Sequence, residues 1–121
     1  MSLYRKAVGR AGEEHALLFL QKNGYDMREQ NWRSPLGEID LIVEKDGFIV
    51  FVEVKTRLHS DFGTAAEAVI RKKQKKIART AAAYIKKHSL YNRKFRFDVL
   101  SIMPEGIEHI ENAFMTEGMT I

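Results

Sequence analysis

The chain has 121 residues with 45% hydrophobic content, which suits a single compact domain over residues 1–121. It contains no cysteine, which excludes a disulfide framework, a thiolate nucleophile and a zinc site with cysteine ligands. Its net charge of +4 favours anionic partners such as nucleic acid or acidic membrane surfaces, but we find no membrane span and no secretory signal and expect a cytoplasmic protein.

A helix is the first predicted element. It runs from about Leu3 to Asn23 and ends before Gly24, a natural stop. Its apolar side is expected to consist of Ala7, Ala11, Leu17, Leu18 and Leu20.

Three strands are predicted next. Tyr25–Trp32 forms the first, and Ser34-Pro35-Leu36-Gly37 is typical of a turn. The two clearest strands, Glu38–Lys45 and Phe48–Thr56, enclose Asp46-Gly47, which indicates a hairpin with a two-residue type I′ turn.

The second half contains one helix and two strands. Thr64–Glu67 is a candidate capping box, and the alternative is a helix that begins near Arg71. The helix ends at about His88, and strands follow over Lys94–Met103 and Ile107–Ala113. The order α-β-β-β-α-β-β predicts an α/β fold with a mixed central β-sheet flanked by helices.

The Asp46-Gly47 turn also predicts a register. Counting from the turn pairs Lys45 with Phe48, Ile42 with Phe51, Asp40 with Glu53, and Glu38 with Lys55. Strand alternation then places Glu38, Asp40, Ile42, Phe51, Glu53 and Lys55 on one face. The other face is apolar throughout, with Ile39, Leu41, Val43, Phe48, Val50, Val52 and Val54.

Asp40 opposite Glu53 is an unfavourable pair of like charges. Lys55 can offset part of that repulsion and a divalent metal the rest, since carboxylates suit Mg²⁺ or Mn²⁺. Such a metal can activate water and stabilise the charge that develops in phosphodiester cleavage, while Lys55 orients or deprotonates the water. The alternative is an exposed sheet end in which Glu38 and Lys55 form an ordinary ion pair. The spacing alone leaves both open.

Several motifs resemble known nucleases. Asp40 followed by Glu53-Val54-Lys55 is similar to the signature of the PD-(D/E)XK superfamily, although Ile39 stands where that signature has proline. The wider pattern resembles the YraN-like family of small bacterial proteins, itself similar to archaeal Holliday junction resolvases. The motifs that carry it are Gly12-Glu13, Asn31-Trp32-Arg33, Gly37–Ile42, Phe51–Arg57 and Phe97-Asp98-Val99.

The resemblance implies a restriction-endonuclease-like fold and a nuclease site. Asp40, Glu53 and Lys55 would be catalytic, with Mg²⁺ or Mn²⁺ bound to the two carboxylates. It makes Glu13 a further catalytic and metal-site carboxylate, against the alternative of a boundary glutamate. Gln74 and Glu38 would be accessory residues.

A cationic segment opens the second helix, and it predicts phosphate contacts unless it is only the solvated face of an amphipathic helix. The predicted nucleic-acid-binding residues are Arg57, Arg71, Lys72, Lys73, Lys75, Lys76 and Arg79. Among other residues, Trp32 is expected in the core and Asp98 as the structural partner of an arginine. His15, His59, His88 and His109 are expected on the surface.

These observations predict a metal-dependent phosphodiester hydrolase that acts on nucleic acid, with structured or branched DNA favoured over RNA. The alternative is a non-catalytic nucleic-acid-binding protein with the same fold. An exonuclease would use the same residues. A homodimer would suit a two-strand cut.

Overall fold

The computed structural model describes residues 3–57 and 71–114, with side chains from residue 11 onward. Its seven elements follow the predicted order. They are α1 (Leu3–Lys22), β1 (Asp26–Ser34), β2 (Gly37–Lys45), β3 (Phe48–Thr56), α2 (Arg71–Lys87), β4 (Lys94–Met103) and β5 (Gly106–Ile110). The candidate capping box at residues 64–67 lies outside the described residues.

The five strands form one mixed sheet in the order β1-β2-β3-β4-β5. β1, β2 and β3 are an antiparallel meander, β4 runs parallel to β3, and β5 returns antiparallel to β4. The parallel pair requires a crossover between β3 and β4, and α2 lies within it. The predicted α/β fold with a mixed sheet between helices is confirmed.

Each face of the sheet packs against one helix. The α1-side core contains Ala16 and Leu20 of α1 together with Leu41, Val43, Val50, Val52 and Leu100. The α2-side core contains Ile77, Ala81 and Tyr84 of α2 together with Ile42, Ile49, Phe51 and Val99. Trp32 packs against this second core, as expected.

Three core assignments from the sequence are wrong. Ala11 is exposed and Leu18 is 66% exposed, because the buried stripe of α1 passes through Ala16 and Leu20 instead. Ile39 belongs to the α2-side core and not to the α1-side core of Leu41 and Val43. The alternation of side chains therefore breaks between residues 39 and 41, at Asp40.

The hairpin turn has the expected geometry. Asp46 and Gly47 both have positive φ, 52° and 84°, as a type I′ turn requires. The ladder then pairs Lys45 with Phe48 and continues in the predicted register to Leu41 with Val52. The turn therefore sets which residues of β2 and β3 meet.

Within the described residues, no helix is long and apolar enough to cross a membrane.

Candidate functional site

The β2–β3 ladder ends just before the carboxylates. Its last pair is Leu41 with Val52, so the predicted pairs Asp40 with Glu53 and Glu38 with Lys55 do not continue it. Instead, the Val54 backbone N–H donates a 2.8 Å hydrogen bond to Asp40 Oδ2. The Asp40 side chain thus accepts a hydrogen bond from a backbone amide of β3 that faces β2. This hydrogen bond holds the Asp40 carboxylate against β3.

Asp40 lies among other carboxylates. Its pKa is raised from 3.8 to about 7, first by burial, then by the negative charge of Glu53, and to a smaller extent by that of Glu13. The hydrogen bond from Val54 works in the opposite direction without cancelling these effects. A carboxyl group whose pKa is raised in this way is a common mark of a functional site.

Glu53 is buried, with 7% of its side chain exposed, and its partner is a lysine of α2. Lys73 Nζ lies 2.5 Å from Glu53 Oε1. Burial lowers the pKa of Lys73, but the hydrogen bond and charge of Glu53 outweigh it and the net shift is upward. Lys73, which the sequence predicts to bind nucleic acid, is therefore paired with the carboxylate cluster in this structure.

Lys55 lies beside the same cluster and is half-buried. Burial lowers the pKa of its ammonium group, and so does the positive charge of Lys73, while the charges of Glu53 and Asp40 oppose these effects. A lysine with a lowered pKa gives up its proton more readily, which suits a group that activates water.

A buried hydroxyl adjoins Lys55 on the neighbouring strand. Lys55 pairs in register with Ser101 of β4, and Ser101 is fully buried. Its Oγ has no hydrogen-bond partner among residues 11–57 and 71–114. A buried polar atom without a partner costs about 1–3 kcal/mol of stability, so Ser101 is an unfavourable residue at a position beside Lys55.

Glu13 reaches the site because α1 comes very close to the end of β3. A Cβ placed on Gly12 would lie 2.6 Å from Thr56 Oγ1, so only glycine permits this approach without a shift. Glu13, the next residue, is half-buried and close enough for its charge to act on Asp40.

Three further predicted site residues are Glu38, Gln74 and Arg57. Glu38 is exposed and forms a 3.5 Å ion pair with its cross-strand neighbour Arg33, because β1, and not β3, pairs with this part of β2. Gln74 is half-buried on α2. Arg57 extends the β3–β4 pairing through its backbone N–H, which donates to the Ile102 carbonyl over 2.7 Å.

Asp40 and Glu53 are the candidate ligands for a divalent metal. Among the described residues, no group of three or more His, Cys, Asp or Glu side chains lies close enough to hold one. Mg²⁺ often binds through one or two carboxylates and completes its shell with waters and substrate phosphates. Two converging carboxylates, one with a raised pKa, fit that mode, so the residues suit a metal shared with a phosphate rather than an all-protein cage.

The remaining cations of α2 form an exposed basic face, which we define as Arg71, Lys72, Lys75, Lys76 and Arg79. None of the five makes a salt bridge to the part of the chain that the structure describes. Four of them and Leu36 line a surface cavity of about 370 Å³. This face adjoins Lys73 and therefore the carboxylate cluster.

A second buried polar cluster, on β4 and β5, is structural. Asp98 is fully buried and accepts two hydrogen bonds from Arg96, of 2.8 and 2.9 Å, and one from the Asn112 backbone N–H. His109 Nε2 lies 2.7 Å from Asp98 Oδ2. The arginine partner expected for Asp98 is therefore confirmed, but the surface position expected for His109 is wrong. The β4–β5 register sets His109 opposite Leu100 and thus beside Asp98.

Of the other three histidines, His15 and His88 are exposed, as expected, and His59 lies outside the described residues.

Sequence reasoning did not predict that Lys73 pairs with a carboxylate, and it did not single out Ser101 or the role of Gly12. Lys73 could have been found from its helical spacing to Ile77 and Thr80, both buried, since residues four and seven positions apart share a side of a helix. Ser101 and Gly12 carry no local signal, because their importance depends on which elements lie next to them.

Most of the chain matches a known protein family. The family described as "Uncharacterised protein family UPF0102" matches residues 12–102. A UPF0102 protein of Sulfurihydrogenibium sp. (strain YO3AOP1) is 43% identical, over 90% of this chain and 95% of the relative. One from Myxococcus xanthus is 38% identical, over 91% of this chain and 90% of the relative.

Proposed function

The chain belongs to the UPF0102 family, and from the site described above we propose that it is a metal-dependent nuclease. The observation that carries the proposal is the meeting of Asp40 and Glu53 at the end of the β2–β3 ladder, with Lys55 beside them. The resemblance of these residues to the PD-(D/E)XK signature supports the same reaction, the hydrolysis of a phosphodiester bond in nucleic acid.

Each residue then has a distinct role. Asp40 and Glu53 would hold Mg²⁺ or Mn²⁺, and Glu13 would add negative charge on the α1 side. When bound, the metal polarises the scissile phosphate and lowers the pKa of water. Lys55 would orient the attacking water, and its Nζ would accept the water's proton when the amine is neutral, a form that its lowered pKa makes more accessible. Burial of the carboxylates strengthens these interactions.

Nucleic acid would be held by the basic face of α2. Its five exposed cations adjoin the site through Lys73, so a backbone bound there lies next to the carboxylates. Contacts of this kind are made to phosphates and carry little sequence information. The resemblance to Holliday junction resolvases favours structured or branched DNA, and a homodimer would supply a second site for a two-strand cut.

One observation favours a different function. The Glu53–Lys73 ion pair neutralises a carboxylate that the nuclease needs, and a protein that binds nucleic acid without cutting it could keep such a pair permanently. Only the nuclease would cleave nucleic acid, and its cleavage would require Lys55.

A cleavage assay separates them. Linear, nicked, flapped and four-way DNA would be incubated with Mg²⁺ or Mn²⁺, using wild type, Lys55→Ala and the control Lys86→Ala, which removes an exposed lysine at the far end of α2. We expect wild type and Lys86→Ala to cleave at least one substrate. Lys55→Ala should lose cleavage by about 10²-fold or more while DNA affinity changes little. Binding without cleavage by all three proteins would favour the non-catalytic function.

A further inference from the structure

The ion pair between Lys73 and Glu53 joins two unlike environments. Glu53 has 7% of its side chain exposed, whereas Lys73 has 43% exposed. The lysine therefore extends from the solvent-facing edge of α2 to a carboxylate that cannot leave its strand. The carboxylate is fixed, and the cation is the member of the pair that can move.

The charges around this pair largely offset one another. Asp40 and Glu53 supply two acidic groups, with Glu13 nearby as a third, and Lys55 and Lys73 supply two basic ones. Lys55 lies on β3 beside Glu53, so its position is set by the sheet. Lys73 is attached only through α2, and it occupies a position that a metal ion bound to Glu53 would also need.

We propose that Lys73 is a built-in counter-ion that competes with the divalent metal for Glu53 and, once displaced, becomes available to a phosphate of the nucleic acid. The inference rests on the proposed function and assigns a regulation to the same site. Two like charges do not share one carboxylate oxygen favourably, so metal entry displaces the ammonium group. Lys73 then adds to the neighbouring basic face.

Coupling between metal and nucleic acid follows from this exchange. With Lys73 on Glu53 the cluster is close to neutral and gives little attraction for a phosphate. With the metal on Glu53 the cluster gains positive charge and α2 gains a free cation. Each ligand therefore favours the binding of the other, as linkage requires.

The first test measures metal affinity and not activity. Mn²⁺ binding by calorimetry would be compared for wild type, Lys73→Gln and Lys72→Gln, the last being an exposed neighbour outside the ion pair. We expect Lys73→Gln to bind Mn²⁺ at least about fivefold more tightly than wild type, and Lys72→Gln to differ by less than about twofold. Equal or weaker binding by Lys73→Gln overturns the proposal, as does an equal gain in Lys72→Gln.

A double variant separates competition from a general effect of charge. In a Glu53→Gln background Lys73 has no carboxylate at residue 53 with which to form an ion pair. Lys73→Gln should therefore leave Mn²⁺ affinity unchanged in that background. A gain of the same size in both backgrounds contradicts direct competition.

The second test measures DNA affinity with and without Ca²⁺, used as a probe cation in place of Mg²⁺. Ca²⁺ should strengthen binding of a labelled duplex by wild type by several-fold more than by Lys73→Gln. Equal strengthening overturns the release of Lys73 toward phosphate. Failure of the proposed nuclease is distinguishable, because a wild type that binds Mn²⁺ and cleaves nothing leaves both of these measurements intact.

Discussion

Two aspartates of this sheet, the half-buried Asp40 and the buried Asp98, differ in the direction of their pKa shifts because of their neighbours. Asp98 accepts hydrogen bonds from Arg96, His109 and the Asn112 amide. Burial alone would raise its pKa, but these partners outweigh burial and the net shift is downward. Asp40 has Glu53 and Glu13 nearby, and its pKa is raised to about 7. The first arrangement stabilises the charged form, and the second penalises it.

Asp40→Asn should therefore stabilise the metal-free protein at alkaline pH. Because the folded-state pKa of Asp40 lies above its ordinary value of 3.8, the wild type loses stability as pH rises from about 4 to about 7, and the loss is complete above that range. Asparagine carries no charge and can still accept the Val54 amide. In EDTA we expect a clear gain at pH 8 and almost none at pH 4, measured by urea unfolding.

The same substitution at Asp98 is the matched control. Asp98→Asn leaves the half-buried Arg96 with only the more distant Glu111, at 4.0 Å, as a counter-charge and should destabilise by about 1 kcal/mol or more. A loss of stability in both variants at pH 8 would show that Asp40 is structural and would contradict its assignment to a strained site.

At the scale of the elements, α1 is placed by a single glycine. Glycine inside a helix normally costs about 1 kcal/mol relative to alanine, so Gly12→Ala would be expected to stabilise. Here the new Cβ would meet Thr56 Oγ1 at 2.6 Å, and overpacking of this kind typically costs 1–3 kcal/mol. We expect Gly12→Ala to destabilise by about 1 kcal/mol in thermal or denaturant unfolding.

Thr56→Ala removes the obstructing hydroxyl and provides the control. In that background Gly12→Ala should become neutral or stabilising, because only the gain in helix propensity remains. A destabilisation of equal size in both backgrounds would place the conflict elsewhere, for example against Ile102, whose Cδ1 lies 3.7 Å from the same Cβ position.

The elements themselves were largely predictable, and the exceptions have physical causes. The bounds of β3 and β4 and the register of the hairpin follow from hydrophobic alternation and from Asp46-Gly47. Alternation does not reveal where a ladder stops, so the break at Asp40 and the displaced Ile39 could not be predicted. The contact between Gly12 and Thr56 depends on the position of α1 over β3, which no local pattern contains.

The candidate site was also predictable only in part. Asp40, Glu53 and Lys55 were predicted because they lie on one hairpin, where short-range spacing determines which residues are neighbours. The contact of Lys73 with Glu53 and the position of Ser101 beside Lys55 were not predicted, since each of these residues comes from an element far along the chain. Asp98 was assigned correctly because Arg96 is only two residues away.

For the whole molecule, the charge distribution governs how nucleic acid would be bound. The exposed cations of α2 lie on one face, whereas the acidic groups of the site are buried or paired. Replacing Lys72, Lys75, Lys76 and Arg79 with glutamine should weaken binding to all DNA sequences about equally. It should also reduce the slope of log affinity against log salt by up to roughly 0.9 for each lost phosphate contact, as measured by fluorescence anisotropy at several salt concentrations.

Four substitutions on a helix surface need a charge control. Lys22, Lys45 and Lys94 lie on other elements, so their replacement removes positive charge without changing this face. An equal change in salt slope per charge removed for the two sets would mean that net charge, and not the basic face, determines binding.

The parallel pairing of β3 and β4 has a consequence for the order in which the chain folds. The β1–β2–β3 meander closes through tight turns, and hairpins form in about 1–10 μs. β4 can pair only after the long crossover closes, and non-local pairing of this kind is slow. We therefore expect Asp40 and Glu53 to come together before α2 delivers Lys73, at a stage when Lys55 alone offsets part of their negative charge. Raising the salt concentration, which screens that repulsion, should speed refolding of wild type in stopped-flow measurements more than that of Asp40→Asn; equal acceleration would mean that the carboxylates meet only after the helix has docked.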